Sequence, residues 1–248
     1  ALAKEAGLEL GIKGSIVVND RMETSVPDIY AAGDAVQVKH YVTGDDALIS
    51  LAGPANKQGR IVADNICGGD SHYLGSQGSS VIKVFDMTAA TTGINETNAK
   101  KSGLEVDTVI LSPMSHAGYY PGGKVMTMKV VFEKETYRLL GAQIIGYEGV
   151  DKRIDVLATA IHAGLKATQL KDLDLAYAPP YSSAKDPVNM AGFMIDNIAK
   201  GTLKQWHLED MDKISKDKNV VLLDVRTVGE FNRGHMKGFN NIPVDELR

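Results

Sequence analysis

The sequence predicts a mixed fold, α/β towards both ends and α+β between them. It reads as the end of one domain, a whole second domain and the opening of a third. Three observations carry this. A short apolar run enters Gly33-Asp34 and is followed by a helix, which is the form of a strand ending at the carboxyl edge of a parallel sheet. Strand-like segments then follow one another between residues 81 and 146, with one helix among them and others after, the ordering of an α+β domain. Last, Val220-Val221-Leu222-Leu223-Asp224-Val225-Arg226 reads as a fully buried strand opening another α/β unit.

The 248 residues can hold one large or two ordinary domains, and 44% apolar with 23% charged residues is a globular composition. A net charge of −4 without any dense Lys/Arg run argues against a nucleic-acid partner. No apolar run approaches the ~20 residues that cross a bilayer, and Ala1-Leu2-Ala3-Lys4-Glu5-Ala6 is no secretory leader. A cytoplasmic protein without a membrane partner is expected. The single cysteine, Cys67, excludes an internal disulfide and any multi-cysteine metal site, so no metal is expected. Its position at a helix end predicts a buried or idle thiol rather than a nucleophile. The opening within a helix, and the close at Asp245-Glu246-Leu247-Arg248 where another begins, read as the ends of a fragment.

In chain order, residues 1–8 read as a helix stopped by Gly7. Strands are expected at Ser15-Ile16-Val17-Val18 and at Ile29-Tyr30-Ala31-Ala32, and a helix runs from Pro54 to Ile66, closed by Gly68-Gly69. The Gly- and Ser-rich stretch 68–79 marks a boundary, giving domains at 1–75, 76–203 and 204–248. Strands follow near 81–87, 106–111, 125–133 and 138–146. Met126, Met128, Val130 and Phe132 share one face of the third, and Glu133-Lys134-Glu135-Thr136 turns into the fourth. Asn95 caps a helix over 95–102 that Gly103 ends. A helix over 152–163 places Ile154, Leu157, Ala158 and Ile161 on one stripe, with Gly164 after it. The next helix is fully punctuated: Asp186 caps, Pro187 takes the first position, Val188, Ala191, Met194, Ile195 and Ile198 form the buried stripe, and Gly201 stops it.

The most specific chemical signal is Thr24-Ser25-Val26-Pro27-Asp28-Ile29-Tyr30-Ala31-Ala32-Gly33-Asp34-Ala35. Gly33 admits a ligand close to the backbone, and Asp34 can accept hydrogen bonds from a sugar-like hydroxyl. A Gly-Asp pair alone is only a turn. The whole string, however, resembles the second FAD fingerprint of the pyridine-nucleotide disulfide reductases. That resemblance implies FAD held by Ser25, Val26, Pro27, Ile29, Tyr30, Ala31, Ala32, Gly33, Asp34 and Ala35, with Asp34 on the ribityl chain and NAD(P)H as co-substrate. It also implies that the helix starting in Leu51-Ala52-Gly53-Pro54 points its N-terminus at the flavin pyrimidine edge. Lys57 and Arg60 on that helix are either solvated charges or, for Lys57, a contact to an anionic substrate such as coenzyme A.

Residues 80–200 resemble the dimerisation domain of the same family, which implies a homodimer. One departure is informative. Glutathione and lipoamide reductases carry a His-x-His-Pro-Thr segment here, with a Glu five residues beyond the second His. This chain has Leu175-Ala176-Tyr177-Ala178-Pro179-Pro180-Tyr181-Ser182-Ser183-Ala184-Lys185-Asp186-Pro187 instead. That segment is similar to the coenzyme A-disulfide reductase branch, with its NADH oxidase and persulfide reductase relatives. The likeness implies that Tyr177 lies at the flavin and active site of the partner subunit, and that Tyr119, with Tyr120 as adjacent rival, is a second active-site tyrosine. It implies substrate contact for Lys185, whose ammonium suits coenzyme A phosphates. A phenol with a pKa near 10 can donate a hydrogen bond to a thiolate or persulfide. His116 and His162 read as structural or solvated.

Finally, Asp224-Val225-Arg226 with Glu230-Phe231, Gly234-His235, Gly238 and Asn241-Ile242-Pro243 resembles the opening of a rhodanese domain. Asp224, Arg226 and His235 would be framework residues, and the persulfide-carrying cysteine loop would follow Arg248. Together the resemblances imply an FAD-dependent NAD(P)H oxidoreductase that reduces coenzyme A disulfide or a persulfide or polysulfide, fused to a rhodanese. An NADH oxidase on the same scaffold and a non-catalytic dimerisation fragment are the alternatives.

Overall fold

Alternation at a period of two carries residues 126–133 into an interior position of a five-stranded antiparallel sheet, and most of the chain up to Lys200 is laid around it. The structure, a computed structural model, describes residues 2–247. It divides into two units, Ala1–Lys200 and Gly201–Arg248.

The first unit opens with helix α1 (Leu2–Glu5), which ends at Gly7 in the left-handed region (φ 77°). The strands expected at 15–18 and 29–32 do not form ladders. Only single bridges occur there, Leu10–Ile16, Ile16–Val36 and Glu23–Tyr30, because each segment meets a neighbour at one residue rather than along its length. A small hairpin follows, β1 (Val38–Lys39) with β2 (Asp46–Ala47). Helix α2 (Ala52–Ile66) begins before Pro54, so the proline sits in the first turn, where its missing N–H costs no helical hydrogen bond. Ile61 and Val62 of α2 pack against Met22, Val36 and Val38. Cys67 lies just past this helix and is exposed, not buried.

The central sheet comprises β3 (Ser80–Val84), β4 (Met87–Gly93), β5 (Val106–Leu111), β6 (Met126–Glu133) and β7 (Leu139–Gly146), in the order β3-β4-β7-β6-β5. Helix α3 (Glu96–Lys101), capped by Asn95, joins β4 to β5. The sequence predicts one strand over 81–87 where the chain makes two. It reverses at Phe85-Asp86, with Phe85 left-handed (φ 52°), and returns as β4. The small residues of β4 carry little apolar alternation, and no Gly or Asn marks the turn, so the hairpin has no local signature.

Helices α4 (Val150–His162) and α5 (Pro187–Ala199) bring their apolar stripes to the core, α4 meeting β4 and β7 and α5 meeting β5. Met128, Leu140, Leu157, Leu170 and Ile195 are fully enclosed between these layers. Each such side chain contributes about 1.5–3 kcal/mol of transfer free energy. Gly192 on α5 is obligatory for this approach, since a Cβ there would lie 2.2 Å from the Lys171 nitrogen.

The second unit holds α6 (Met211–Ile214), β8 (Leu223–Asp224), α7 (Val228–Arg233) and β9 (Asn240–Asn241), with β8 parallel to β9. The buried strand expected over 220–226 shrinks to Leu223–Asp224, and Val221 is 75% exposed. One two-residue partner cannot cover both faces of a longer strand. Among the described residues, no helix is long and apolar enough to cross a membrane, and no group of three or more His, Cys, Asp or Glu could hold a metal ion.

Candidate functional site

Two loops meet beside the sheet. The β5–β6 connection carries Tyr119, and the segment leading into α5 carries Tyr177. The Ala117 N–H donates to the Ser182 carbonyl at 3.0 Å and ties the loops together. Beyond that tie the Tyr119 and Tyr177 hydroxyl oxygens lie 2.9 Å apart. The pair remains open to solvent, Tyr119 at 77% and Tyr177 at 45% exposure. The hydrogen bond shared with Tyr119, and secondarily desolvation, raises the Tyr177 pKa above the ordinary phenol value. Tyr177 therefore keeps its proton at neutral pH. In such a pair one hydroxyl donates to the other, and the acceptor's own O–H remains available to a third group.

Tyr120, the adjacent candidate, points elsewhere. Its ring packs edge-on against His116, with centroids 5.6 Å apart at 80°. His116 is buried, and its Nδ1 lies 3.1 Å from the Ala117 carbonyl. His162 stacks on Tyr41 at 5.1 Å. Neither histidine meets a carboxylate side chain in these contacts.

Beneath the tyrosines lies a residue that sequence reasoning passed over. Arg153, on the first turns of α4, is 1% exposed. Its Nε and Nη2 reach the Asp186 carboxylate at 3.2 and 3.0 Å. Nη2 also donates to the Ser115 carbonyl at 2.9 Å and to Ser182 Oγ at 3.2 Å, and Nη1 to the Gly149 carbonyl at 3.2 Å. Ser182 Oγ donates in turn to Asp186 at 2.6 Å, and Asp186 accepts the Val188 N–H at 3.0 Å as the α5 cap. Gly149 must be a glycine: its φ is 68°, and a Cβ there would sit 2.0 Å from Arg153 Nη1. A signal was present, for Arg153 falls between Val150, Ile154 and Leu157 on the buried stripe of α4. An arginine on such a stripe demands a partner carboxylate. Tyr177, Lys152 and Glu148 line an adjoining cleft of about 470 Å³.

Gly33 is left-handed (φ 80°), and its N–H donates at 2.7 Å to Oε1 of Gln58, a buried residue of α2 that sequence reasoning also missed. Gln58 thus fixes the Gly33-Asp34 turn against α2. Asp34 is exposed, and its carboxylate has no hydrogen bond or ion pair among the described residues. The N-cap of α2, Leu51, offers no side-chain bond, so the first N–H groups of that helix are also uncommitted. An unpaired carboxylate acceptor beside uncommitted backbone donors suits the ribityl hydroxyls and the acceptor edge of a flavin, so the residues present fit FAD.

Elsewhere in the string, Ser25 Oγ accepts the Glu9 N–H at 2.8 Å, Thr24 Oγ1 donates to the Val26 carbonyl at 3.2 Å, and the Tyr30 hydroxyl reaches Glu23 at 3.5 Å. Pro27, Ile29, Ala31, Ala32 and Ala35 supply the backbone between them. No hydrogen bond, ion pair or ring contact joins Tyr177 to residues 25–35 among the described residues.

The expected substrate lysines lie apart. Lys57 is exposed on the wall of a cleft of about 1030 Å³, shared with Arg60, Tyr41, Gln77 and His162. Lys185 sits 5.8 Å above the Phe193 ring of α5. In the second unit, Arg226 forks onto Asp224 at 2.9 and 2.6 Å and reaches the Gly234 carbonyl, while His235 stacks on Phe231 at 3.7 Å.

Comparison with known proteins places these features among relatives. Residues 1–59 match a model described as pyridine nucleotide-disulphide oxidoreductase, and residues 79–187 one described as the dimerisation domain of pyridine nucleotide-disulphide oxidoreductase. An NAD(P)H sulfur oxidoreductase (CoA-dependent) of Pyrococcus abyssi is 40% identical over 187 residues, 75% of this chain and 42% of that protein. The crystal structure of reduced Bacillus anthracis CoADR-RHD is 50% identical with a TM-score of 0.94, over 100% of this chain and 44% of that one. A NAD-dependent persulfide reductase from A. fulgidus is 41% identical with a TM-score of 0.90, over 99% of this chain and 44% of that one. The chain spans about two fifths of the length of the curated relatives it matches.

Proposed function

The chain belongs to the pyridine nucleotide-disulphide oxidoreductase family, and on that premise we propose that it is part of an FAD-dependent NAD(P)H oxidoreductase that reduces coenzyme A disulfide or a persulfide or polysulfide. The observation that carries this reading is the Tyr119–Tyr177 hydroxyl pair at 2.9 Å. Its Tyr177 stands in the segment that, by resemblance, replaces the acid–base dyad of the His–Glu branch of the family. The names of the P. abyssi and A. fulgidus relatives, a CoA-dependent sulfur oxidoreductase and a persulfide reductase, agree with this substrate class.

When bound, FAD supplies two-electron transfer from NAD(P)H towards sulfur. Asp34 would accept hydrogen bonds from the ribityl chain, and the uncapped start of α2 would offer its N–H groups to the ring edge. Reducing a disulfide releases a thiolate that needs a hydrogen-bond donor or a proton. Tyr177, protonated at neutral pH, and Tyr119 form that donor together, and the hydroxyl hydrogen left free by their mutual bond is the one offered to the thiolate. Lys57 and Lys185 suit the phosphates of coenzyme A. Among the described residues Tyr177 makes no hydrogen bond, ion pair or ring contact with the fingerprint string of its own chain, which is the expectation if it serves the flavin of a partner subunit in a homodimer. Residues 1–75, 76–203 and 204–248 are then the FAD/NAD(P)-domain portion, the dimerisation domain and a rhodanese portion. The last is supported by the CoADR-RHD match, which extends over the whole chain.

Tyr177→Phe tests the reading. The ring's shape is kept and only the hydroxyl is lost, so stopped-flow traces should show the sulfur step slowed by about ten- to a thousandfold. Flavin reduction by NADH should stay near the wild-type rate. Equal slowing of both steps would assign Tyr177 to the flavin pocket, and release of hydrogen peroxide or water instead of thiol would assign the scaffold to an oxidase.

A further inference from the structure

We propose that Arg153 is a positioning residue for the Tyr119–Tyr177 pair, holding the two loops that carry them in the one register that brings the hydroxyls together. This rests on the reading of the pair as the proton-handling element of sulfur reduction. Arg153 touches neither tyrosine hydroxyl. It acts through the backbone on either side of them. Its Nη2 binds the Ser115 carbonyl, four residues before Tyr119, and the Tyr181 carbonyl at 3.4 Å, four residues after Tyr177. Between these points the Ala117 N–H meets the Ser182 carbonyl, and the Tyr181 N–H closes a turn on the Ala178 carbonyl, directly after Tyr177. One guanidinium therefore sits where the Tyr119 loop, the Tyr177 turn, the start of α4 and the cap of α5 converge.

Stability alone does not require such a node. A buried ion pair loses in desolvation much of what it gains in attraction, and apolar replacements of similar volume are often neutral or stabilising. What apolar residues cannot supply is direction. The planar fork of Arg153 fixes the Asp186 carboxylate, a loop carbonyl and the Ser182 hydroxyl at set angles, and a lysine cannot reproduce that fork. The tyrosines need such support because they stand exposed, joined to each other through their hydroxyl contact. A displacement of about 1 Å in either loop would break a hydrogen bond of this length.

The test uses the holoenzyme with Arg153→Met and Asp186→Asn combined. This removes the fork without leaving a buried charge, and Asn keeps the α5 cap. Two readouts are taken. The first is the ionisation of Tyr177, followed by NMR with carbon-13 at tyrosine Cζ and identified by the resonance that Tyr177→Phe removes. The second is the rate of the sulfur step against that of flavin reduction. The titration of Tyr177 should move down towards the ordinary phenol range, as it should in Tyr119→Phe, and the sulfur step should slow by about tenfold or more with flavin reduction retained. A Tyr177 titration that stays where the wild type has it overturns the proposal, whatever the rates. A titration that moves with an unchanged sulfur step upholds the positioning role and instead refutes the catalytic reading of the pair. Should the paired variant fail to fold, Arg153→Lys keeps the charge, loses the fork and carries the same two expectations.

Discussion

Removing the Asp186 carboxylate should be among the most damaging single changes in the first unit. Asp186 is 2% exposed and serves two partners at once, the Val188 N–H at the start of α5 and the Arg153 guanidinium. In Asp186→Ala the guanidinium keeps its carbonyl partners but stays buried without a counter-charge, which costs about 3–5 kcal/mol in comparable sites. Loss of the cap adds about 1 kcal/mol, partly included in the same figure because the two contacts share one side chain. Asp186→Asn separates them, since it retains an oxygen for the cap and removes only the charge. Against a domain stability of about 5–15 kcal/mol, Ala should move the urea midpoint far down and Asn less far. Protein concentration is held fixed, because association contributes to apparent stability. The reasoning fails if Asp186→Ala costs under about 1 kcal/mol, or if Asn is as damaging as Ala.

Asp34→Ala in the holoenzyme should weaken FAD binding by about tenfold or more, the worth of one charge-assisted hydrogen bond; stoichiometric flavin surviving gel filtration would remove Asp34 from the ligands. Glu96 accepts from Lys100 and Lys129, and these bonds lower its pKa from 4.5 to about 2. A carboxylate depressed on folding stabilises above its unfolded value and loses that contribution as pH falls through the folded one. Thermal melts should therefore show wild type losing its advantage over Glu96→Gln between pH 4.5 and about 2, and a constant difference across that window would contradict the assignment. Residues 80–200 should associate on their own, since they cover all but the first residue of the match to the dimerisation domain; sedimentation as a monomer at micromolar concentration would place the dimer contacts elsewhere.

What the sequence made legible divides by the span of the interaction concerned. Helix α5 was readable in full, because a cap, a proline at the first helical position, an apolar stripe and a stopping glycine are relations among near neighbours. The fingerprint string was found through resemblance to a family motif, and the strand expected within it is reduced to a bridge. Strand β4 was not readable, since its residues become a strand only by lying between β3 and β7. The tyrosines were found through resemblance to a family segment, yet nothing local says that residues 58 apart share a hydrogen bond. Asp186 holds both cases in one side chain. Its bond to Val188 spans two residues and was anticipated as a cap, while its pairing with Arg153 spans 33 and was not. A buried carboxylate that satisfies a local rule leaves no surplus signal to announce a distant partner. The arginine does leave one, because a long cation on an apolar helical stripe cannot remain unpaired once the helix packs. Searching buried stripes for such cations, and then for a carboxylate that could answer them, is the step by which this part of the site becomes accessible from sequence.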